Sequence, residues 1–326
     1  MADASRWKKK PAVTAHLAEL LRHDTAGDPC SGLRWVRRTT RNLADYLTEE
    51  LNLPVSPRTV ARLLREMGYS LRVNRKCLPS TSPAERNSQF EFIARLRQDC
   101  AHNNTPVCSI DTKKKELIGN FRNAGVAWEA EPVEVNDHDF RSHAEGLAVP
   151  HGIYDTLANR GFVRVGISGD TPFFAVDNLD AWWRCHGRAR YPEASSLVIL
   201  ADCGGSNGYR TRAWKYCLQH TFCNVHRIQV TVAHYPAGCS KWNPVEHRLF
   251  SEISRNWSGR PLKSLDHILN YIATTSTRTG LQVTSQPNTK QYKTGIRISD
   301  EQMATINITP NQHIPKWNYT ISPSPN

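Results

Sequence analysis

Ser196-Leu197-Val198-Ile199-Leu200-Ala201-Asp202 is the stretch on which the fold turns. Leu197 to Ala201 is an unbroken apolar run, the pattern of a strand covered on both faces in the middle of a helix-flanked sheet. It ends in an acid and then in Cys203-Gly204-Gly205-Ser206-Asn207-Gly208, a glycine-rich loop. Downstream, Thr211 to about Gln219 reads as a helix, Gln229 to Tyr235 as a strand, and Pro244 opens a helix to about Arg255. Upstream, Thr171 to His186 is a helix whose apolar positions are Phe174, Val176, Leu179, Trp182 and Trp183. Before it, Ile153 to Ile167 reads as a hairpin, with arms Ile153 to Leu157 and Phe162 to Ile167 around Asn159-Arg160-Gly161. Val107-Cys108-Ser109-Ile110 is a further short strand, ending in Asp111. The order β, hairpin, α, β, α, β, α predicts an α/β fold, a mixed sheet flanked by helices.

Residues 1–79 differ in character. They hold 15 Lys and Arg against 8 Asp and Glu, a net +7 of the chain's +12, and read as helical. Leu43 and Leu47 share one helix face. After Leu51-Asn52-Leu53-Pro54, Ser56 can cap a second helix with Pro57 at its first position. Val60, Leu63, Leu64 and Met67 form the apolar face, and Gly68 terminates it. Arg58, Arg62 and Arg65 recur on the opposite face, which is the helix-turn-helix pattern of duplex recognition. The same spacing also fits any helical pair with a solvated arginine face. Pro79-Ser80-Thr81-Ser82-Pro83 is a linker, and Phe90, Ile93, Ala94 and Leu96 follow a helical rhythm. The expected division is 1–78 (DNA binding), 79–104 (connector and helix), 105–304 (the sheet domain) and 305–326, a Pro-, Asn-, Thr- and Ser-rich tail extending over the surface.

With 326 residues, 39% of them hydrophobic and 22% charged, the chain has the composition of a folded protein. No apolar run is long enough to span a membrane, and Arg6 and Lys8 to Lys10 precede no signal-like apolar segment. Nine thinly spread cysteines favour a reducing, cytoplasmic setting. A net charge of +12 favours a polyanionic partner.

Three acids occupy equivalent places. Asp111 and Asp202 end strands, and Glu246 lies in the first turn of the helix after the last strand. Strand ends of such a sheet form one rim, where ligands sit. Three carboxylates there need a cation, and oxygen-only ligation suits Mg²⁺ or Mn²⁺; two such ions serve phosphoryl transfer. Taken singly, each acid is more often a turn former or a helix-dipole partner, and only their joint placement points to a metal site. Lys113, Lys114 and Lys115 beside Asp111 suit a phosphate backbone, and Lys241 and Trp242 can hold a strand by charge and stacking. A solvated charge run and a core tryptophan are the plainer readings.

Five strings carry a resemblance. Ser109-Ile110-Asp111-Thr112-Lys113-Lys114-Lys115-Glu116-Leu117-Ile118-Gly119-Asn120-Phe121, Ala201-Asp202-Cys203-Gly204-Gly205-Ser206-Asn207-Gly208 and Ser240-Lys241-Trp242-Asn243-Pro244-Val245-Glu246-His247-Arg248-Leu249-Phe250-Ser251 resemble the three acidic motifs of the Rhodopirellula-type DDE transposases of bacterial insertion sequences. Thr59 to Leu71 resembles that family's helix-turn-helix end, and Trp317-Asn318-Tyr319-Thr320 its C-terminus. The resemblance implies a ribonuclease H-like catalytic domain. The implied activity is DNA cleavage and strand transfer with Mg²⁺ or Mn²⁺, two ions held by the triad Asp111, Asp202 and Glu246, which are spaced 91 and 44 residues apart. It also implies double-stranded DNA partners (terminal repeats and target), a homo-oligomeric active complex, and a bacterial cytoplasmic protein on the nucleoid. Two departures stand out. Cys203 replaces a usual Gly, which is expected to disturb the loop, and the chain starts later than family members do, as a truncated copy would.

Cys217, His220, Cys223 and His226 recur every three residues, but that rhythm on a helix fans ligands apart, which disfavours zinc. Two rival readings remain. One is a catalytically silent, truncated, sequence-specific DNA-binding protein. The other is a nuclease of RNA–DNA hybrids, against which the helix-turn-helix speaks.

Overall fold

The computed structural model describes residues 10–27, 34–36, 39–69 and 83–325. The chain divides into two compact units, Met1–Cys77 and Leu78–Asn326. In the first, α1 (Lys10–Asp24), β1 (Thr25–Gly27), β2 (Arg34–Val36), α2 (Thr40–Glu49) and α3 (Pro57–Glu66) follow in order. The two short strands pair antiparallel, Thr25 opposite Val36. A purely helical reading of this region missed them, because three residues carry too little periodicity to register. Leu17, Leu21, Leu43, Leu47, Val60 and Leu63 are buried together as its core. The Thr39 hydroxyl accepts from the Asn42 N–H at 3.1 Å and the Ser56 hydroxyl from Thr59 N–H at 3.2 Å, so both helices start on a side-chain cap. Gly68 follows α3 with φ +87°, the left-handed turn that ends a helix.

The second unit opens with α4 (Pro83–His102). The linker expected at Pro79–Pro83 otherwise lies outside the described residues, as do Arg6, Lys8 and Lys9. Then come β3 (Val107–Thr112), β4 (Glu116–Ile118), β5 (Gly146–Asp155), β6 (Arg160–Gly166), α5 (Pro172–Trp182), β7 (Ser196–Ala201), α6 (Arg212–Cys217) and β8 (Gln229–His234). A π-helical stretch, Val245–Phe250, runs into α7 (Ser251–Asn256), followed by α8 (Leu265–Ala273), β9 (Gln282–Asn288), α9 (Asp300–Ala304), β10 (Ile308–Pro310) and β11 (Asn318–Ile321).

The main sheet runs β10-β11-β8-β7-β3-β5-β6-β9, with β4 paired to the start of β5. At its centre β6, β5 and β3 are antiparallel, whereas β3, β7 and β8 are parallel. That order and sense of five strands is the ribonuclease H-like arrangement. The apolar run of β7 is split between two cores. Leu197, Ile199 and Ala201 pack with Trp182, Trp183, Trp214 and Phe222 from the helices on one face. Val198 and Leu200 pack with Ile93 of α4, Val107 and Ala233 on the other. Such double burial is why this strand shows no alternation.

Two expectations need correction. The hairpin is longer and shifted: β5 starts at Gly146, the turn is 156–159, and Asp155 pairs with Arg160. Asn159 takes the left-handed conformation that a tight turn requires (φ +52°). The segment 305–326 is not a surface tail. Its strand β11 lies antiparallel on β8, Asn318 opposite Ala233, and Trp317, Asn318, Tyr319 and Ile321 are buried. Polar composition concealed it: Asn318 is buried because its amide exchanges hydrogen bonds with Gln89 of α4, both 2.8 Å. The Trp214 indole donates to the Tyr319 hydroxyl at 3.1 Å. Tyr319→Ala is therefore expected to cost about 3–5 kcal/mol, the range for a large buried aromatic, read as a lower urea midpoint at unchanged slope. A surface tail would cost next to nothing.

Candidate active site

The parallel pairing of β3 and β7 sets Ser109 opposite Leu200. Carried two residues on, that register puts Asp111 beside Asp202 at the same sheet edge. Asp111 is the penultimate residue of β3, and Asp202 is the first residue past β7. Glu246 arrives from the π-helical stretch Val245–Phe250, which packs on the sheet through Leu249 and Phe250. Gly152, the residue paired with Asp111 on β5, permits this approach, since a Cβ there would lie 2.5 Å from the Phe250 ring. Three separate elements thus deliver three half-buried carboxylates to one place.

Their electrostatics follow from that crowding. Burial first, then the Asp202 and Glu246 charges, push the Asp111 carboxyl up to about 8, against a short hydrogen bond from the Thr112 N–H (2.7 Å). Burial also raises Asp202 to about 6, opposed by the Asn243 amide. Glu246 is raised by burial too, opposed by its hydrogen bond with Asp111 and by the nearby Lys113 charge. The hydrogen bond between Asp111 and Glu246 thus raises the first and lowers the second. Among the described residues no three His, Cys, Asp or Glu side chains are arranged to hold a metal ion, these three included.

A second layer holds them. The Asn243 amide donates to Asp202 Oδ1 (3.1 Å) and to the Ile110 carbonyl (3.2 Å), and its oxygen accepts from the Ser109 hydroxyl. That hydroxyl in turn accepts from the Val245 N–H at 2.8 Å. Ser109 and Asn243 therefore tie β3, Asp202 and the Glu246 segment together. The Asp202 carbonyl accepts from His234 Nδ1 at 2.8 Å, and burial keeps that ring neutral, with its pKa down at about 4. Sequence reasoning named none of the three as functional. A signal existed for Ser109, two residues before Asp111 and so on the same strand face; His234 offered none, because its partner is a backbone atom.

The basic residues separate into groups. Lys113 is engaged, its ammonium 2.6 Å from Glu116 and over the Trp257 ring at 4.6 Å, while Lys114 and Lys115 are exposed. Trp242 is 56% exposed and meets Phe90 in a T-shaped contact, and Lys241 lies over its ring at 5.5 Å, so the core reading of Trp242 fails. In the other unit Arg58, Arg62 and Arg65 are all exposed on α3. Cys203 does not disturb its loop, since the thiol donates to the Tyr235 carbonyl at 2.9 Å. The Cys217, His220, Cys223 and His226 series does not converge. The two thiols are buried, His220 bonds Thr305 (2.8 Å), and His226 bonds Asp180 (2.6 Å).

A carboxyl whose folded pKa is raised stabilises the fold below its unfolded pKa and loses that contribution as pH climbs through its folded pKa. For Asp111 the window runs from about 4 to about 8. Asp111→Asn removes the repulsion, so it is expected to raise the metal-free melting temperature at pH 8 by roughly 2–5 °C and far less at pH 4. Equal gains at both pH values would show that the carboxylates do not repel.

The chain matches the family model described as the Rhodopirellula transposase DDE domain over residues 16–323. No curated protein sequence matches it. Among solved structures it is similar to the Mos1 transposase paired-end complex with left transposon end, at 18% identity over 79% of this chain and 69% of that one, TM-score 0.45. Similar too are the Mos1 mariner paired end complexes with Mn (17% identity) and with Mg (15%), each over 79% of this chain and 69% of the other, TM-score 0.45. With its carboxylates on the rim of a ribonuclease H-like sheet and the family model spanning both units, the chain belongs to the Rhodopirellula-type DDE transposase family.

Proposed function

We propose that the protein cuts DNA at the ends of an insertion sequence and joins the freed 3′-hydroxyl to target DNA, with Asp111, Asp202 and Glu246 as its catalytic acids. The observation that carries this reading is their convergence from three separate elements, at a cost in charge repulsion that a purely structural site would not retain. The donors are all carboxylate oxygens, the set preferred by Mg²⁺ or Mn²⁺, and their crowding leaves an excess of negative charge for a cation to neutralise. The oxygen-only donor set suits one or two divalent ions, and once the three carboxylates closed around them those ions would supply neutralisation of the phosphate and an activated oxygen nucleophile.

The chain's own residues have distinct tasks in this reading. Asn243 holds the Asp202 carboxylate in one orientation, and Ser109 holds Asn243. Lys113 moderates the charge of Glu246 and is itself fixed by Glu116. Lys114, Lys115 and Lys241 meet phosphates, and the exposed face of Trp242 stacks on a base. Arg58, Arg62 and Arg65 meet the backbone of the terminal-repeat duplex. Two copies joined in the active complex, on nucleoid DNA in the cytoplasm, complete the reading.

Asp111→Asn is expected to lower Mg²⁺- or Mn²⁺-dependent nicking of a terminal-repeat duplex by at least about 10³-fold while leaving its affinity unchanged in a gel-shift assay. Nicking at the parental rate would remove Asp111 from the chemistry. A parent that binds the repeat but never cuts it would leave sequence-specific DNA binding as the function.

A further inference from the structure

A cavity of about 550 Å³ opens in the second unit between the loop after β9, the residues that begin α5, and the turn into α6. None of the motifs discussed above supplies it. Its charged lining is Arg212, Lys293 and Arg297 against one acid, Asp170, and the Thr211 and Thr294 residues stand among them. Arg212 is held in place, with a guanidinium nitrogen 2.6 Å from Asp300 and 3.3 Å from the Ile298 carbonyl. Lys293 and Arg297 are exposed, and among the described residues neither has an ion-pair partner. They sit in a run without regular structure, 289–299, that is anchored on either side by the Lys290–Asp177 ion pair and by buried Ile298.

The cavity is joined to the carboxylate centre by a single hydrogen bond. The Thr112 hydroxyl donates to Asp170 Oδ1 at 3.1 Å, and Thr112 is the residue after Asp111. Asp170, which lines the cavity, is thus one hydrogen bond from the residue that follows Asp111. The chemistry selects for repeated negative charge at modest size. The volume is that of a small-molecule site, large enough for a short run of one strand and too small for a duplex.

We infer that this cavity holds the sugar–phosphate backbone of a single DNA strand leading to the carboxylates, with Lys293 and Arg297 as its phosphate contacts. The inference rests on the phosphoryl-transfer reading for its direction, but its binding claim stands apart from catalysis. It places on the loop after β9 a strand-holding role that the basic helix face of the first unit does not share.

The test uses the full-length protein without divalent metal and two probes, a fluorescein-labelled single-stranded oligonucleotide of random sequence and a blunt terminal-repeat duplex. Binding is followed by anisotropy over a salt series. K293E/R297E is expected to weaken single-strand binding by about tenfold or more and to flatten its logarithmic salt dependence by about 1.4, two phosphate contacts at about 0.7 each. Duplex binding should stay at the parental level. K293Q/R297Q should give a smaller loss in the same direction, which separates lost contacts from introduced repulsion. Parental single-strand affinity in both variants overturns the inference, and so does a parent that does not bind the strand. If single-strand binding in the parent is displaced by equimolar inorganic pyrophosphate, the cavity is a free-phosphate site and the strand assignment falls. Loss of strand binding in the variants, with no cleavage by the parent under any metal, would support the cavity and sink the transposition reading.

Discussion

Like charges brought together at a sheet edge govern this molecule. Asp111 and Asp202 are neighbours because β3 and β7 run parallel in a register that leaves no choice once Ser109 faces Leu200. Glu246 joins them because a helix must cover the apolar face of β5 and β6, and Gly152 lets it settle closely. Burial raises all three carboxyls, and neighbouring negative charge raises Asp111 and Asp202 further, so the cluster is held against its own electrostatics by the packing around it. That packing is extensive: the sheet is covered on both faces, and its two principal cores are built from large aliphatic and aromatic side chains.

The polar scaffold beneath the acids explains how the position is maintained. Ser109 and Asn243 join three chain segments through four hydrogen bonds, all buried or nearly so. On the other side of Asp202, His234 holds the backbone carbonyl and lies 3.4 Å from the Tyr319 hydroxyl, which also accepts from Trp214. The C-terminal strand thus supports the rim from the far edge of the sheet. Buried polar groups of this kind are useful only when satisfied, and these are.

Much of the fold was legible in advance. The unbroken run at 197–201 identifies a strand buried on both faces. The Ser56-Pro57 start and Gly68 stop of α3 are local chemistry that any surroundings would respect. Less visible was whatever depended on distant partners. The hairpin turn was misplaced because Gly161, which looks like a turn residue, lies inside β6, where a Cβ would strike Leu249 at 2.5 Å. The C-terminal strand was hidden because Asn318 and Thr320 look like loop residues until Gln89 and Thr231 are set against them.

What the amino-acid sequence determined by itself is the inventory: the order of the central strands and helices, the three acids at element ends, and the capped helix with arginines on its outer face. Short-range rules suffice for these, because apolar periodicity, caps and turn formers act within a few residues. Only the tertiary structure decided which of those groups meet. Strand register brought Asp111 to Asp202, helix packing brought Glu246 to both, and the fold engaged Lys113 with Glu116 while leaving Trp242 exposed. Proximity across 91 and 44 residues of chain is set by long-range pairing, and no local pattern encodes it.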